Sequence, residues 1–320
     1  MRGRWRMVHR DGTAVGQSLT IRMILVGAAQ SRLFYLCGMS VSLLRQQLSR
    51  TLRSWRFPAI AGIGIVLVAL NYWTTFHATF VVPKSDPTFF RYMMLFSDGG
   101  AGGSIYCMLL PCIAALAGGG LYSDEKNSGR LCMMLSRTGR RDVLRSSFCA
   151  GFVLGGCGGA LPLLLNLVIA VIRQPHMSFI DGVDHIASNP YFSYYPVIQA
   201  NSWLYPLYKT NQLLMLLVAF LMIFVLSGAY ACLAIGASAF IGKRYVEILV
   251  PFAVSLLIWL LPAVLPIHVQ LVANEFSQVI FLNFSADSGP YGAWGAVANV
   301  MLFLVLAGVL YGIELHRDAL

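Results

Sequence analysis

Apolar residues in this chain run in long blocks, without the regular polar interruptions of a soluble amphipathic helix or strand. A helix needs about 20 mostly apolar residues to cross the hydrocarbon of a bilayer. Six stretches meet that requirement: 58–76, 102–122, 147–172, 211–241, 245–265 and 291–313. The fourth is long enough to tilt or to project beyond the bilayer. Pro251 and Pro262 bracket the fifth and predict kinked or unwound ends there.

Composition points the same way. The chain is 58% hydrophobic and only 11% charged, with a mean hydropathy of +0.70, whereas a soluble domain carries about 25% charged residues. These values exclude an ordinary soluble enzyme, a disordered chain and a secreted disulfide scaffold. The expected fold class is an all-α integral membrane protein with six transmembrane helices, preceded by an amphipathic interfacial helix.

The net charge of +10 invites a nucleic-acid reading, but its distribution opposes one, and no nucleic-acid partner is expected. Ten arginines precede residue 57, and six Lys or Arg lie between Lys126 and Arg145. Lys243, Arg244 and Arg317 fall on the same predicted side, which thereby holds 19 of the 23 basic residues. Lys84, Arg91, Arg173 and Lys209 fall on the other. Basic residues accumulate on the cytoplasmic side of membrane proteins, so both termini are expected inside.

Three segments follow from this layout. Residues 1–38 form a cytoplasmic leader with no assigned role; the apolar run Met23–Ala29 is too short for a signal peptide or a span. Residues 39–57 read as an interfacial elbow helix, with Leu44, Leu48, Leu52 and Trp55 at helical spacing and Arg45, Arg50, Arg53 and Arg56 on other faces. Residues 58–320 form the six-helix domain, with a loop at 123–146.

Candidate chemistry is sparse. Cys107, Cys112, Cys149, Cys157 and Cys232 lie within predicted spans and read as small core residues; no CxxC occurs. The segment Gly236–Lys243 misses the phosphate-loop pattern, because its first glycine is one place early and Arg244 replaces Ser or Thr. The chain is therefore not expected to be an enzyme or to hold a cofactor. His176, Asp181, Asp184 and His185 match no metal-site spacing, so no metal is expected, and the aromatics of 190–196 suit a membrane interface. Gly99, Gly100, Gly102 and Gly103 read as a flexible lead into the second span. Gly151, Gly155 and Gly159, four apart on the third span, form a helix-packing face, with the partner helix left open between this chain and a second copy. Span interiors carry essentially no charge; Glu247 and Glu314 lie near predicted ends within reach of water.

The loop 123–146 is the most informative segment. Acidic Asp124 and Glu125 leave the second span, Asn127-Ser128-Gly129 makes a turn, and Leu131, Met133, Met134 and Leu135 form an apolar cluster. Arg137, Arg140 and Arg141 follow around a turn at Thr138-Gly139. Orienting a membrane protein takes charge but no apolar cluster, so this helix reads as a docking element for a cytoplasmic partner.

In these residues the chain resembles permease subunits of ABC type-2 exporters, particularly those of Gram-positive bacteria. Glu125, Gly129, Leu135, Ser136 and Arg140 match the loop pattern of that family. Arg130 departs from it, standing where a small hydroxyl residue is frequent, and so does Thr138, where proline is frequent. The six-helix plan, the elbow and the terminal Arg317-Asp318 pair extend the resemblance over 39–320. The resemblance implies two paired permeases and two copies of a separate ABC ATPase, which carries ATP and Mg. It further implies that Asp124, Glu125, Gly129, Arg130, Leu131, Met134, Leu135, Arg137, Arg140 and Arg141 couple the two. The arginines would meet an acidic groove on the ATPase, and Leu131, Met134 and Leu135 would fill it. A lipophilic or peptide-like substrate moved across a bacterial cell membrane is the corresponding expectation. A stand-alone channel or secondary transporter, and a ligand-sequestering immunity protein, are the alternatives.

Overall fold

The computed structural model describes residues 41–78, 89–96, 100–136, 139–175, 177, 198, 201–241, 245–284 and 289–316. The leader 1–38, Arg137, the His176–His185 cluster, the 190–196 aromatics, Lys243, Arg244 and the Arg317-Asp318 pair lie outside them. Among the described residues every regular element is helical.

A short helix α1 (Val41–Leu52) precedes α2 (Arg56–Trp73), and α3 (Ala101–Ala114) is continued by a π-helical turn (Ala115–Gly119). Two short helices, α4 (Leu121–Asn127) and α5 (Arg130–Leu135), lead into α6 (Arg140–Arg173). Then come α7 (Tyr205–Thr210), α8 (Gln212–Ser238), α9 (Leu249–Leu260), α10 (Ile267–Asn274), α11 (Gln278–Phe281) and α12 (Gly292–His316). Six helical segments, Arg56–Phe76, Ala101–Gly119, Arg140–Arg173, Gln212–Ser238, Val246–Val264 and Gly292–His316, are long and apolar enough to cross a membrane. They coincide with the six expected spans, and this is a multi-pass membrane protein.

The centre of the bundle is the pair α6 and α8, which share the most extensive contact, with α12 against α8 and α2 against α6. Small residues allow it. A Cβ placed on Gly151, Gly155 or Gly159 would collide with Ile235, Ala231 or Ser227, which recur every four residues along α8. The glycine face therefore meets a helix of its own chain. Lipid gives little hydrophobic drive between helices, so this close approach, with its dispersion contacts, does the holding. The Tyr106 hydroxyl donates to the Gly159 carbonyl oxygen at 2.7 Å and ties α3 into the same seam.

The cysteines divide. Cys107 and Cys232 are buried as expected, whereas Cys149 and Cys157 are exposed on α6.

The two ends of the bundle are built differently. One end gathers the N-termini of α2 and α6, the C-termini of α3, α8 and α12, and the segment α4–α5; it is called the basic end below. The opposite end is closed by apolar chain. Phe89, Phe90, Met93, Met94, Leu95 and Phe96 are all buried, as are Tyr208, Phe281, Leu282 and Phe284. Phe90 sits edge-on to Phe89, Phe96 and Tyr208, with centroids 5.3–5.5 Å apart. The backbone of this segment is anchored by Asn166 of α6, whose Oδ1 accepts from the Met94 amide at 2.7 Å and whose Nδ2 donates to the Tyr92 carbonyl at 2.8 Å. Residues between the first two spans thus form core instead of a simple connecting loop. Gly103 is in contact with Met94, and Gly102 with Leu67 and Asn71. Gly102 and Gly103 are packing surface, which corrects the expectation of a flexible lead for these two; Gly99 lies outside the described residues.

Candidate functional site

The predicted coupling loop folds as α4 and α5, a helical hairpin joined at Gly129. Its φ of +70° is the left-handed conformation that glycine adopts at no steric cost. The turn separates two surfaces. Arg130, Cys132 and Met133 of α5 are exposed, Met133 by 70%, and Leu131, Met134 and Leu135 are half-buried. The α4 side faces inward; Lys126 Nζ donates to the Ala239 carbonyl oxygen at 3.4 Å, and four ties between side chains also hold it to the bundle.

Glu125 is the first tie. It is only 3% exposed and accepts hydrogen bonds from Gln47 Nε2 of α1, at 3.1 Å to Oε1 and 3.4 Å to Oε2. The same Nε2 donates to Ser147 Oγ of α6 at 3.0 Å. Burial pushes the Glu125 carboxyl above its ordinary value, against the downward pull of the Gln47 hydrogen bond and of Arg50. Its neighbour Asp124 makes the second tie, an ion pair at 2.6 Å with the buried Arg56 guanidinium of α2. Arg56 was counted among the topology-setting arginines; it is instead enclosed, with Gly120 against its guanidinium.

The third tie runs to the segment that begins the fifth span. Ser123 Oγ donates to Glu247 Oε1 at 2.6 Å, and Glu247 is 1% exposed. In the fourth, Glu314 of α12 accepts from Tyr122 OH at 3.1 Å and pairs with Arg140 NH2 of α6 at 2.7 Å. Burial first, and Glu314 second, raise the Tyr122 phenol to about 12, so it stays a donor. Glu247 and Glu314 were expected to reach water at the span ends. Both are buried, because each has a hydrogen-bonding partner from the loop within the fold, and a buried carboxylate is tolerated only when so paired.

The structure therefore sorts the predicted coupling residues. Asp124, Glu125 and Arg140 are engaged within the chain. Gly129, Arg130 and Arg141 are exposed, and Leu131, Met134 and Leu135 lie between. Sequence reasoning missed Gln47, Arg56, Tyr122, Ser123, Ser147, Glu247 and Glu314 as members of the site. The one usable signal was that two of its carboxylates interrupt or end apolar spans.

On α1 the inward residues are Gln47 and Thr51, one turn apart, with Leu44 and Leu48 half-buried and Leu52 and Trp55 turned out. The polar positions, not the leucine row as a whole, attach this helix. The collar of opposed carboxylates and donors makes α4 the hub of α1, α2, α6, α12 and the start of the fifth span. Breaking any one of these buried, charge-assisted hydrogen bonds costs about 1.5–3 kcal/mol.

Comparison with known protein families, with curated proteins and with solved structures finds no match for this chain.

Proposed function

We propose that this chain is the membrane-spanning permease subunit of an ATP-driven ABC exporter in a bacterial cell membrane. A separate ATPase, present in two copies and carrying ATP and Mg, docks on the α4–α5 hairpin, and two permeases pair to form the path. Both termini and the basic end lie in the cytoplasm, and α1 rests on the lipid surface. The substrate class is lipophilic or peptide-like and moves outward.

The observation that carries this reading is the two-sided hairpin. One side presents Arg130, Cys132 and Met133 outward, and the other is tied by polar side-chain contacts to α1, α2, α12 and the start of the fifth span. Such an element receives force at its tip and delivers it to the helices. ATP-driven closure of the ATPase pair pushes the hairpin, and the collar passes that motion to α2, α6 and α12.

The test is co-purification from cells that express the chain with the ATPase encoded beside it, followed by ATP hydrolysis and transport in lipid. Wild type is expected to retain the ATPase. Met133→Asp, on the exposed side, is expected to lose it while leaving folding within about 0.5 kcal/mol of wild type. Glu125→Ala or Arg140→Ala is expected to retain the ATPase and its hydrolysis but to lose transport. A folded wild-type protein that captures no ATPase would overturn the exporter reading and leave the stand-alone channel or sequestering protein.

A further inference from the structure

Helix α6 carries two arginines near its start, Arg141 and Arg145, one turn apart and both exposed. Neither makes an ion pair among the described residues, whereas their neighbour Arg140 is held by Glu314. The carboxylate between them, Asp142, turns toward Gly139 at the helix start. Residues four apart on a helix have Cβ atoms about 5–6 Å apart, and two like charges at that spacing repel. An anion shared by both guanidiniums removes the repulsion and takes charge-assisted hydrogen bonds from each. One and two turns farther into the span, Cys149 and Val153 are exposed. Charge thus gives way to apolar surface on this side of α6, as it must where a spanning helix passes from headgroups into hydrocarbon.

The exposed arginines of α1 lack this arrangement. Arg50 already has the Glu125 carboxyl nearby, and Arg45 and Arg53 stand about two turns apart, too far to share one phosphate. The ligand that fits the α6 pair brings a phosphate to the two guanidiniums and hydrocarbon to the surface beside them. A zwitterionic headgroup sets its own ammonium next to its phosphate and so repels the pair, whereas an anionic headgroup is attracted as a whole. We infer that the Arg141–Arg145 side of α6 binds a phospholipid of net negative headgroup charge. Its phosphate is shared by the two guanidiniums, and an acyl chain runs along Cys149 and Val153. Arg141, expected to meet an ATPase, is thereby assigned to the membrane. This inference requires only that the six helices span a bilayer, and it stands whether or not an ATPase docks on α5.

The experiment uses the full chain, stripped of lipid in detergent, with anionic glycerol and zwitterionic choline phospholipids of identical acyl chains added at equal concentration. Native mass spectrometry reads the bound fraction. The glycerol lipid is expected to bind about tenfold tighter than the choline lipid. Soluble glycerol phosphate at the same concentration is expected not to displace it, because it brings no acyl chain. Arg141→Gln with Arg145→Gln, both surface changes, is expected to erase the preference. Arg45→Gln with Arg53→Gln removes the same charge from α1 and is expected to leave the preference in place. Equal retention of the two lipids, displacement by soluble glycerol phosphate, or an equal loss of preference in both double variants would each overturn the assignment. So would an Arg141→Gln, Arg145→Gln protein that keeps its lipid preference but no longer captures an ATPase, since the pair would then serve a protein partner.

Discussion

The two ends of this bundle close the same helices by opposite means. At the far end, ten buried apolar side chains interlock around Phe90 and Phe284, with Asn166 fixing the backbone. At the basic end, ion pairs and hydrogen bonds hold α4 to its neighbours. Apolar packing is non-directional and has no alternative partner to exchange for, so it resists rearrangement. Polar contacts are directional and can be swapped for water or for another chain. The difference places rigidity at one end and an adjustable joint at the other.

The contrast can be broken most strongly at the apolar end. Phe90→Ala removes a fully buried ring with three aromatic neighbours and is expected to destabilise the protein by about 3 kcal/mol. Thermal unfolding in detergent measures it; an unchanged midpoint would mean the segment 89–96 contributes no rigidity. A middle-sized effect is expected at the basic end. Arg140→Ala leaves Glu314 buried without its cation, but Arg140 is itself partly exposed, so the cost falls to about 1–2 kcal/mol. Adding Glu314→Gln is expected to recover most of it. A double variant no better than the single one would show that the pair is not what holds α12.

The smallest effect is a pH dependence. Glu125 titrates above the ordinary carboxylate range because burial disfavours its charge, with Asp124 adding to the rise and Arg50 and Arg130 opposing it. A raised folded-state value means that ionised Glu125 lowers stability at neutral pH. That penalty is relieved as pH falls through the folded value toward about 4.3, the ordinary glutamate value. Wild type is therefore expected to gain stability relative to Glu125→Gln on acidification, by about 1 kcal/mol or less. Parallel melting curves for the two proteins across that range would refute it.

The spans were legible because each is a local property: twenty consecutive residues decide it, and only the end positions moved. The glycine stripe was legible for the same reason, although its partners on α8, Ser227, Ala231 and Ile235, are remote in the chain and left no mark near Gly155. The collar was not legible. Tyr122 meets Glu314 across 192 residues and Ser123 meets Glu247 across 124, and no short-range pattern encodes such pairing. Phe89 to Phe96 was passed over because Arg91 interrupts an apolar run too short to span. That run is core because it folds back on α6 through Asn166.

The length of α6 also serves as a ruler. Its 34 residues extend about 51 Å, against roughly 30 Å of hydrocarbon. Even at a steep tilt of about 40° it outruns the bilayer core. Its first two turns, from Arg140 to Ser147, thus stand in the headgroup layer when the far end of the helix is level with the opposite boundary. The carboxylates gathered there never enter oil. The polar collar thus belongs to the headgroup layer and the seam of glycines to the oil beneath it.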